Sequence, residues 1–117
     1  MNYKGSCHCG KVAFEVEGEL TQVAECNCSH CSRKGYLMWF VKRSQLRLTT
    51  SEGDLATYRF NKHVIDHRFC KTCGCAPFAS GSAGAGAAAE GAAINVRCLE
   101  DVDPASLKIV PFDGLSL

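Results

Sequence analysis

Three cysteines within six residues, Cys26, Cys28 and Cys31, have the types and the spacing to do chemistry together. Their Cys-x-Cys-x2-Cys spacing lets one tight turn bring three thiolates to about 2.3 Å from a single zinc ion. Structural zinc is nearly always held by four protein ligands, whereas catalytic zinc keeps three and leaves its fourth position to water or substrate. The triplet therefore predicts a metal site with an open position, and its three cysteines are candidate catalytic residues.

Four further cysteines occur as two close pairs in distant parts of the chain, Cys7 with Cys9 and Cys70 with Cys73. Together they would supply the four thiolates of a tetrahedral structural zinc and tie the N-terminal turn to the later one. The spacing also allows a second arrangement, in which Cys70 and Cys73 complete a site with the triplet. With either arrangement the sequence predicts bound zinc, and the first arrangement predicts two ions per chain.

The total of 9 cysteines is odd, and most of them lie in pairs too close in sequence to bridge one another easily. In a reducing compartment such pairs are typical of metal ligands, and a secreted disulfide framework is the alternative. Cys75 and Cys98 fall outside the clusters. We interpret both as small buried side chains, against an accessory ligand or a redox thiol.

Length and composition narrow the class of protein. The 117 residues predict a single domain over 1–117, and 46% hydrophobic with 21% charged residues is ordinary for a globular chain. The net charge of +1 gives no reason to expect nucleic acid or an anionic membrane as a partner. The first residues lack the apolar core of a secretory signal, and no stretch is long and apolar enough to span a bilayer, so we expect a cytoplasmic protein. The sequence defines no oligomeric state.

Short strands are predicted around the cysteine turns. Residues 12–16 alternate apolar with polar side chains, as a half-buried strand does. The apolar run Tyr36–Val41 predicts a buried central strand whose aromatic rings fill the core. Leu55–Phe60 and Val64–Phe69 predict a hairpin around residues 61–63.

Later segments follow the same pattern. Ser80–Ala93 is almost entirely glycine, alanine and serine and predicts a mobile loop, after which Ala93–Leu99 predicts a strand. Asp103 before Pro104 predicts a short helical turn, and Lys108–Phe112 predicts an edge strand. The sum is a mainly β domain of short antiparallel strands, with cysteine turns that bind zinc and hold the sheets together.

The cysteine turns and their flanking residues resemble the glutathione-dependent formaldehyde-activating enzyme family, which also contains the catalytic-type domain of centromere protein V. The resembling segments span nearly the whole chain and are Gly5–Gly10, Cys26–Cys31, Phe69–Gly74 and Ile94–Leu99. The resemblance implies a fold of coiled antiparallel sheets shared with a zinc-binding Rab accessory protein. It also implies a structural zinc on Cys7, Cys9, Cys70 and Cys73 and a catalytic zinc on Cys26, Cys28 and Cys31. The chain departs from the family in its small-residue segment 80–93 and at Cys75, which bears on substrate choice.

A thiol bound at the open zinc position would be deprotonated and could attack a small aldehyde. The resemblance implies that the thiol is glutathione, the aldehyde is formaldehyde, and the enzyme is a carbon-sulfur lyase or synthase that forms S-(hydroxymethyl)glutathione. The alternative is a non-catalytic, zinc-stabilised binding or scaffold domain.

Glutathione carries two carboxylates, so a site that binds it needs basic neighbours. Arg33 and Lys34 directly follow the triplet and are the candidate binding residues, with Arg97 as a third basic side chain; the alternative is that all three are solvated surface charges. His30 and His67 could move protons. We favour the interpretation that they are hydrogen-bonded within the zinc turns.

Overall fold

The structure is a computed structural model that describes residues 1–60, 64–81 and 90–114, and these residues contain ten short strands in two sheets. The strands are β1 Asn2–Ser6, β2 Ala13–Glu17, β3 Gln22–Cys26, β4 Met38–Lys42, β5 Leu46–Leu48, β6 Leu55–Tyr58, β7 Ile65–Cys70, β8 Phe78–Gly81, β9 Gly91–Asn95 and β10 Lys108–Phe112. One α-helix, α1, spans Ser29–Lys34. Short 3-10 turns cover Arg43–Gln45, Glu52–Asp54, Val96–Cys98 and Pro104–Ser106.

The small sheet has the strand order β1-β2-β5, and the large sheet has the order β10-β3-β4-β9-β8-β7-β6. The prediction of a mainly β fold is confirmed, as are the β6–β7 hairpin and the edge strand at Lys108–Phe112. The predicted antiparallel pattern has one exception in the described residues, at the edge where β10 runs parallel to β3. This register places Phe112 beside Cys26, so the chain returns to the triplet at its far end.

The two faces of the large sheet have different roles, because successive residues of a strand point to opposite sides. Trp39 of β4 and Ile94 of β9 face the small sheet and belong to the main core. Their neighbours Met38 and Ala93 face the other way, into a second buried cluster that includes Cys26 and Cys31. We call the side with this second cluster the outer face.

The aromatic run at residues 36–41 shows the effect of this alternation. The strand is central as predicted, between β3 and β9, and Trp39 is buried with its ring edge-on to Tyr3 at 5.5 Å between centroids. The prediction that Phe40 fills the core is wrong, because Phe40 lies on the outer face and is 56% exposed. Tyr36 precedes the strand and is buried in the second cluster.

Two later expectations also need correction. The small-residue segment predicted as a loop contributes strand residues at both ends, since β8 ends at Gly81 and β9 begins at Gly91; residues 82–89 of that prediction lie outside the described residues. The strand predicted over 93–99 ends at Asn95, whose side chain accepts a hydrogen bond from the Arg97 N–H at 3.2 Å. That bond starts a 3-10 turn, so Cys98 is not on the strand.

The short helical turn after Asp103 is confirmed, with the Asp103 carboxylate accepting from the Ala105 N–H at 3.0 Å. The turn predicted at residues 61–63 lies outside the described residues. No helix in the described part of the chain has the length and apolarity needed to cross a membrane.

Candidate metal centres and active site

Cys7, Cys9, Cys70 and Cys73 meet at the boundary between the two sheets, and all four sulfurs lie within 4.8 Å of one another. Cys9 Sγ is 3.7 Å from Cys7 Sγ and 3.6 Å from Cys70 Sγ. Four sulfurs arranged tetrahedrally around zinc at 2.3 Å would lie about 3.8 Å apart. The arrangement therefore fits a tetrahedral metal ion, and it does so by joining residues 61 positions apart.

Local backbone geometry holds these four thiols in place. After β7, Gly74 takes a φ of 81°, and its N–H donates to the Cys70 carbonyl at 2.9 Å. A zinc-binding cysteine turn often needs a positive φ at this position, and glycine adopts it without strain. The Thr72 N–H points to Cys70 Sγ at 3.4 Å, and the Val12 N–H points to Cys7 Sγ at 3.3 Å. Such N–H donors stabilise thiolates, which are the form that binds metal.

Two thiols of this cluster have pKa values shifted in opposite directions. Backbone N–H groups of Cys75 and Cys9 lower the pKa of Cys73 to about 5. At Cys9 a hydrogen bond from the Lys11 N–H lowers the pKa, but burial and the neighbouring thiols raise it to about 11. A divalent cation would remove this competition, because it favours the ionised form of every thiol that it touches.

The triplet forms the second group of thiols, on the outer face of the large sheet. Cys26 ends β3, Cys28 is the N-cap residue of α1, and Cys31 lies inside the helix. The three sulfurs lie within 4.8 Å of one another. The Cys31 N–H donates to Cys28 Sγ at 3.2 Å, and the Cys28 N–H approaches Cys26 Sγ at 3.5 Å.

No fourth cysteine, histidine or carboxylate joins the triplet within that distance among residues 1–60, 64–81 and 90–114. Cys70 and Cys73 lie in the other cluster, so the structure does not bring them to the triplet. Cys75 and Cys98 do not join it either, and both are half-buried against the main core. A metal ion on Cys26, Cys28 and Cys31 would thus have three protein ligands from the described part of the chain.

The electrostatics of the triplet also fit a cation. Burial opposes ionisation of Cys28, but hydrogen bonds from the Cys31 and His30 N–H groups and from the neighbouring thiols together outweigh it and lower the Cys28 pKa. Burial and then the Cys28 thiol raise the pKa of Cys31. The Cys28 thiol therefore ionises more easily than a free thiol, whereas the Cys31 thiol ionises less easily. A bound cation would favour the ionised form of both and let both coordinate.

Helix α1 was not predicted from the sequence, although signals for it exist. Gly35 ends the helix in the left-handed region at a φ of 71°, and its N–H donates to the Cys31 carbonyl. Arg33 and Lys34 occupy the last turn, where basic residues complement the helix dipole. A glycine directly after two basic residues is thus the sequence signal for the end of this helix.

The chain returns to the triplet at Asp113 and Gly114. The Asn27 N–H donates to the Phe112 carbonyl at 3.1 Å, and Asn27 Nδ2 donates to Asp113 Oδ1 at 3.0 Å. A Cβ atom added at Gly114 would overlap Cys26 Sγ and lie 3.1 Å from Cys28 Cβ. Glycine at this position is what lets the backbone pass so close to the two thiols.

We expect Gly114→Ala to displace Cys26 Sγ and to weaken metal binding at the triplet by at least tenfold, because ligand positions in a metal site tolerate only a few tenths of an ångström. The measurement is competitive zinc titration with a chromophoric chelator, which resolves weak and tight sites. Gly53→Ala is the matched control, because Gly53 lies in an exposed turn and a Cβ atom added there would approach only the Ser51 hydroxyl, not the triplet. Equal zinc affinities for the two variants would contradict the prediction.

Two neighbouring cavities hold the basic candidate residues, and one of them borders the triplet. The first, of about 520 Å³, is lined by Cys26, Cys31, Tyr36 and Arg97 among others. Arg97 is fixed there by a hydrogen bond from its Nε to the Gly35 carbonyl at 3.2 Å. The structure thus places the third basic candidate, Arg97, in a cavity with two of the triplet thiols.

The second cavity, of about 450 Å³, contains the other two basic candidates. Its lining residues are His30, Arg33, Lys34, Tyr36, Tyr58, His67 and Phe69. Lys34 Nζ lies 5.5 Å from the centre of the Phe69 ring. No triplet thiol lines this cavity, but Tyr36 lines both, so the two cavities are neighbours.

His30 and His67 form a ring pair that the sequence did not predict. Their centroids are 4.3 Å apart, and the Phe60 ring stacks on His67 at 5.1 Å. Both Nδ1 atoms are buried without a hydrogen-bond partner in the described part of the chain. The interpretation of these histidines as hydrogen-bonded zinc-turn residues is therefore wrong at Nδ1. Because His30 and His67 come from α1 and β7, no local pattern could have paired them.

Burial lowers the pKa of His30, and Lys34 lowers it further. Burial and then His30 lower the pKa of His67 to about 4. Both rings are therefore neutral near pH 7, and a neutral imidazole offers one donor and one acceptor. The two Nδ1 atoms are exceptions among buried polar atoms, most of which have a hydrogen-bond partner.

Comparison with known proteins gives a family and a similar fold. The family model described as glutathione-dependent formaldehyde-activating enzyme matches residues 2–109. The crystal structure of a Rhodobacter sphaeroides protein, solved in structural genomics, is similar with a TM-score of 0.80 and 34% sequence identity. That similarity covers 92% of this chain and 97% of the other. The fold, its two cysteine clusters and the match over nearly its full length together show that the chain belongs to the glutathione-dependent formaldehyde-activating enzyme family.

Proposed function

We propose that the protein is a carbon-sulfur lyase or synthase with two zinc ions per chain, which adds a thiol such as glutathione to a small aldehyde such as formaldehyde. The observation that carries the proposal is the triplet of Cys26, Cys28 and Cys31, which has no fourth protein ligand in the described residues and borders a cavity of about 520 Å³. Three protein ligands next to a cavity are typical of catalytic zinc, and four are typical of structural zinc. The four-thiol cluster has the structural role in this proposal.

Zinc bound at the triplet would lower the pKa of a substrate thiol and hold the resulting thiolate beside the cavity. The chain supplies the remaining parts of the site. In this proposal the carboxylates of glutathione bind to Arg33, Lys34 and Arg97, and the support is that these residues line the two neighbouring cavities. Holding the thiol and the aldehyde together removes much of the entropic cost of their encounter.

The reaction balances without an oxidant or a reductant. The thiolate sulfur attacks the carbonyl carbon, a carbon–sulfur bond forms, and the carbonyl π bond opens onto oxygen. That oxygen takes up the proton that the thiol released. Burial raises the pKa of Tyr36 to about 12, so its phenol stays protonated and can donate a hydrogen bond to the carbonyl oxygen. His67, with a pKa of about 4, is too weak a base to hold that proton near pH 7, so its neutral imidazole can contribute only a hydrogen bond.

The test combines binding with turnover. Protein loaded with two zinc ions should bind glutathione in isothermal titration calorimetry and should accelerate its exchange with formaldehyde, followed by two-dimensional exchange NMR. Protein that binds no glutathione and does not accelerate the exchange would contradict the proposal. That result would favour a non-catalytic, zinc-stabilised scaffold.

We expect Lys34→Gln to raise the dissociation constant for glutathione about fivefold, because an exposed charge pair contributes about 1 kcal/mol. Zinc content should stay unchanged, since Lys34 is not a ligand. Lys108→Gln is the matched control, because Lys108 is exposed on β10 and lines neither cavity. Identical glutathione affinities for the two variants would show that Lys34 does not bind glutathione.

A further inference from the structure

A third cavity, of about 350 Å³, lies along the outer face of the large sheet and ends at the triplet. We call it the apolar trough. Cys26 and Cys31 line one part of it, and Phe40, Ile65, Ala93 and Phe112 are among its other lining residues. An occupant of the apolar trough would therefore lie next to two of the three thiols.

Strand register explains why the sheet is hollow here. One row of side chains crosses four neighbouring strands in the order His67, Ala79, Ala93, Phe40. The two central strands contribute only the methyl groups of Ala79 and Ala93, which are 4% and 8% exposed. The large side chains of His67 and Phe40 stand on either side of two alanines, so the sheet surface has a depression between them.

One wall of the apolar trough consists of two solvent-exposed aromatic rings. Phe40 is 56% exposed and Phe112 is 41% exposed, with their ring centroids 5.9 Å apart. At the opposite wall His67 is only 9% exposed, so this side of the trough is closed. The exposed aromatic rings favour a bound apolar ligand at this position.

The charge distribution indicates which part of a substrate would bind there. No lysine or arginine lines the apolar trough within the described residues, whereas Arg33, Lys34 and Arg97 all line the other two cavities. The carboxylates of a thiol such as glutathione would therefore bind away from the apolar trough. Its volume corresponds to roughly ten water molecules, whereas formaldehyde has only two heavy atoms.

We propose that the apolar trough binds the alkyl or aromatic substituent of the carbonyl substrate, so that this protein prefers an aldehyde of roughly six to eight carbon atoms to formaldehyde. This inference rests on the proposed function and names the substrate class of the same site. The bond changes are those of the addition step above: the thiolate sulfur bonds to the carbonyl carbon, and the carbonyl oxygen takes the proton lost by the thiol. The product is an S-(1-hydroxyalkyl) thiol adduct with its apolar chain in the trough.

Stable thioethers that mimic the adduct provide a direct binding test. Zinc-loaded protein is titrated calorimetrically with S-hexylglutathione and with S-methylglutathione, which share the carboxylates and differ only in the apolar chain. We expect the hexyl compound to bind at least tenfold more tightly, because burial of two or three methylene groups gives roughly a tenfold to hundredfold gain. In exchange NMR, glutathione addition to hexanal should likewise be accelerated more than addition to formaldehyde.

Phe40→Ser removes one wall of the trough, and since Phe40 is exposed the substitution leaves the main core intact. The hexyl-to-methyl affinity ratio should fall to threefold or less in this variant. Ile109→Ser is the matched control, because Ile109 is a 46% exposed apolar residue of the same sheet that does not line the trough. Its affinity ratio should equal that of the unmodified protein.

Distinct results would overturn the inference and the proposed function. If both thioethers bind with equal affinity, or if Phe40→Ser keeps the full ratio, the trough is not the substituent site, while the proposed function stands. If neither thioether nor glutathione binds, both fail. A concentration-dependent dimer that Phe40→Ser converts to monomer, with no hexyl preference, would show that a second copy covers the trough.

Discussion

Replacing Cys70 with serine is expected to unfold the domain at 25 °C or to leave it in a loose, non-cooperative state. Cys70 is 1% exposed, belongs to the main core and lies in the four-thiol cluster that joins the two sheets. A structural zinc of this kind contributes on the order of 10 kcal/mol to folding, which is about as large as the whole stability of a small domain. Zinc content from mass spectrometry and urea denaturation followed by circular dichroism provide the measurement.

Cys98→Ser is the matched control for this experiment. Cys98 is half-buried against the same core but lies outside both clusters, and burial raises the pKa of its thiol to about 11. Its replacement should cost only about 1 kcal/mol and should leave both metal ions bound. If Cys70→Ser keeps two zinc ions and unfolds at the same urea concentration as Cys98→Ser, the four-thiol cluster is not a structural metal site.

Replacing Cys28 with serine should have the opposite profile, with one zinc ion lost, cooperative unfolding retained and activity reduced at least about 100-fold. Cys28 is the N-cap residue of α1, and serine is among the best N-cap residues, so the helix should persist without the thiol. A hydroxyl does not replace a thiolate as a zinc ligand, so the triplet would lose its metal and with it the activation of the substrate thiol. Glutathione titration and exchange NMR with formaldehyde measure the loss.

Comparison of Cys28→Ser with Cys70→Ser tests which cluster is structural and which is catalytic. Unfolding of the Cys28 variant together with a stable Cys70 variant would reverse the structural and catalytic assignments. Full turnover by the Cys28 variant would remove the triplet from the active site. Cys98→Ser again serves as the control, since it should keep the activity of the unmodified protein.

Chain-local information accounts for much of the fold. The alternation at Val12, Phe14 and Val16 predicted β2 correctly, because a half-buried strand needs an apolar residue at every second position. The hairpin of β6 and β7, the turn after Asp103 and the positive φ of Gly74 follow from equally short patterns. Helix α1 was missed because six residues give less than two turns of periodicity.

Residue type predicted the wrong structure at two places, where contacts with neighbouring strands determine the conformation instead. The glycine- and alanine-rich residues around Gly81 and Gly91 join strands, because backbone hydrogen bonds to β7 and β4 do not depend on side-chain size. Phe40 was placed in the core because it is aromatic, yet strand alternation turns it outward. In both cases the neighbouring strand, which local sequence does not reveal, decided the outcome.

The sequence by itself determined the chemistry of the site, because thiol number and spacing limit which metal ligands a turn can offer. Only the tertiary structure decided which pairs meet: Cys9 and Cys70 are 61 residues apart, and the sheets bring their sulfurs to 3.6 Å. The tertiary structure also put the four-thiol cluster at the core boundary and the triplet on the outer face. The reason is that successive side chains of a strand point to opposite faces of the sheet. The His30–His67 pair and the apolar trough likewise result from strand register and packing between residues far apart in the sequence.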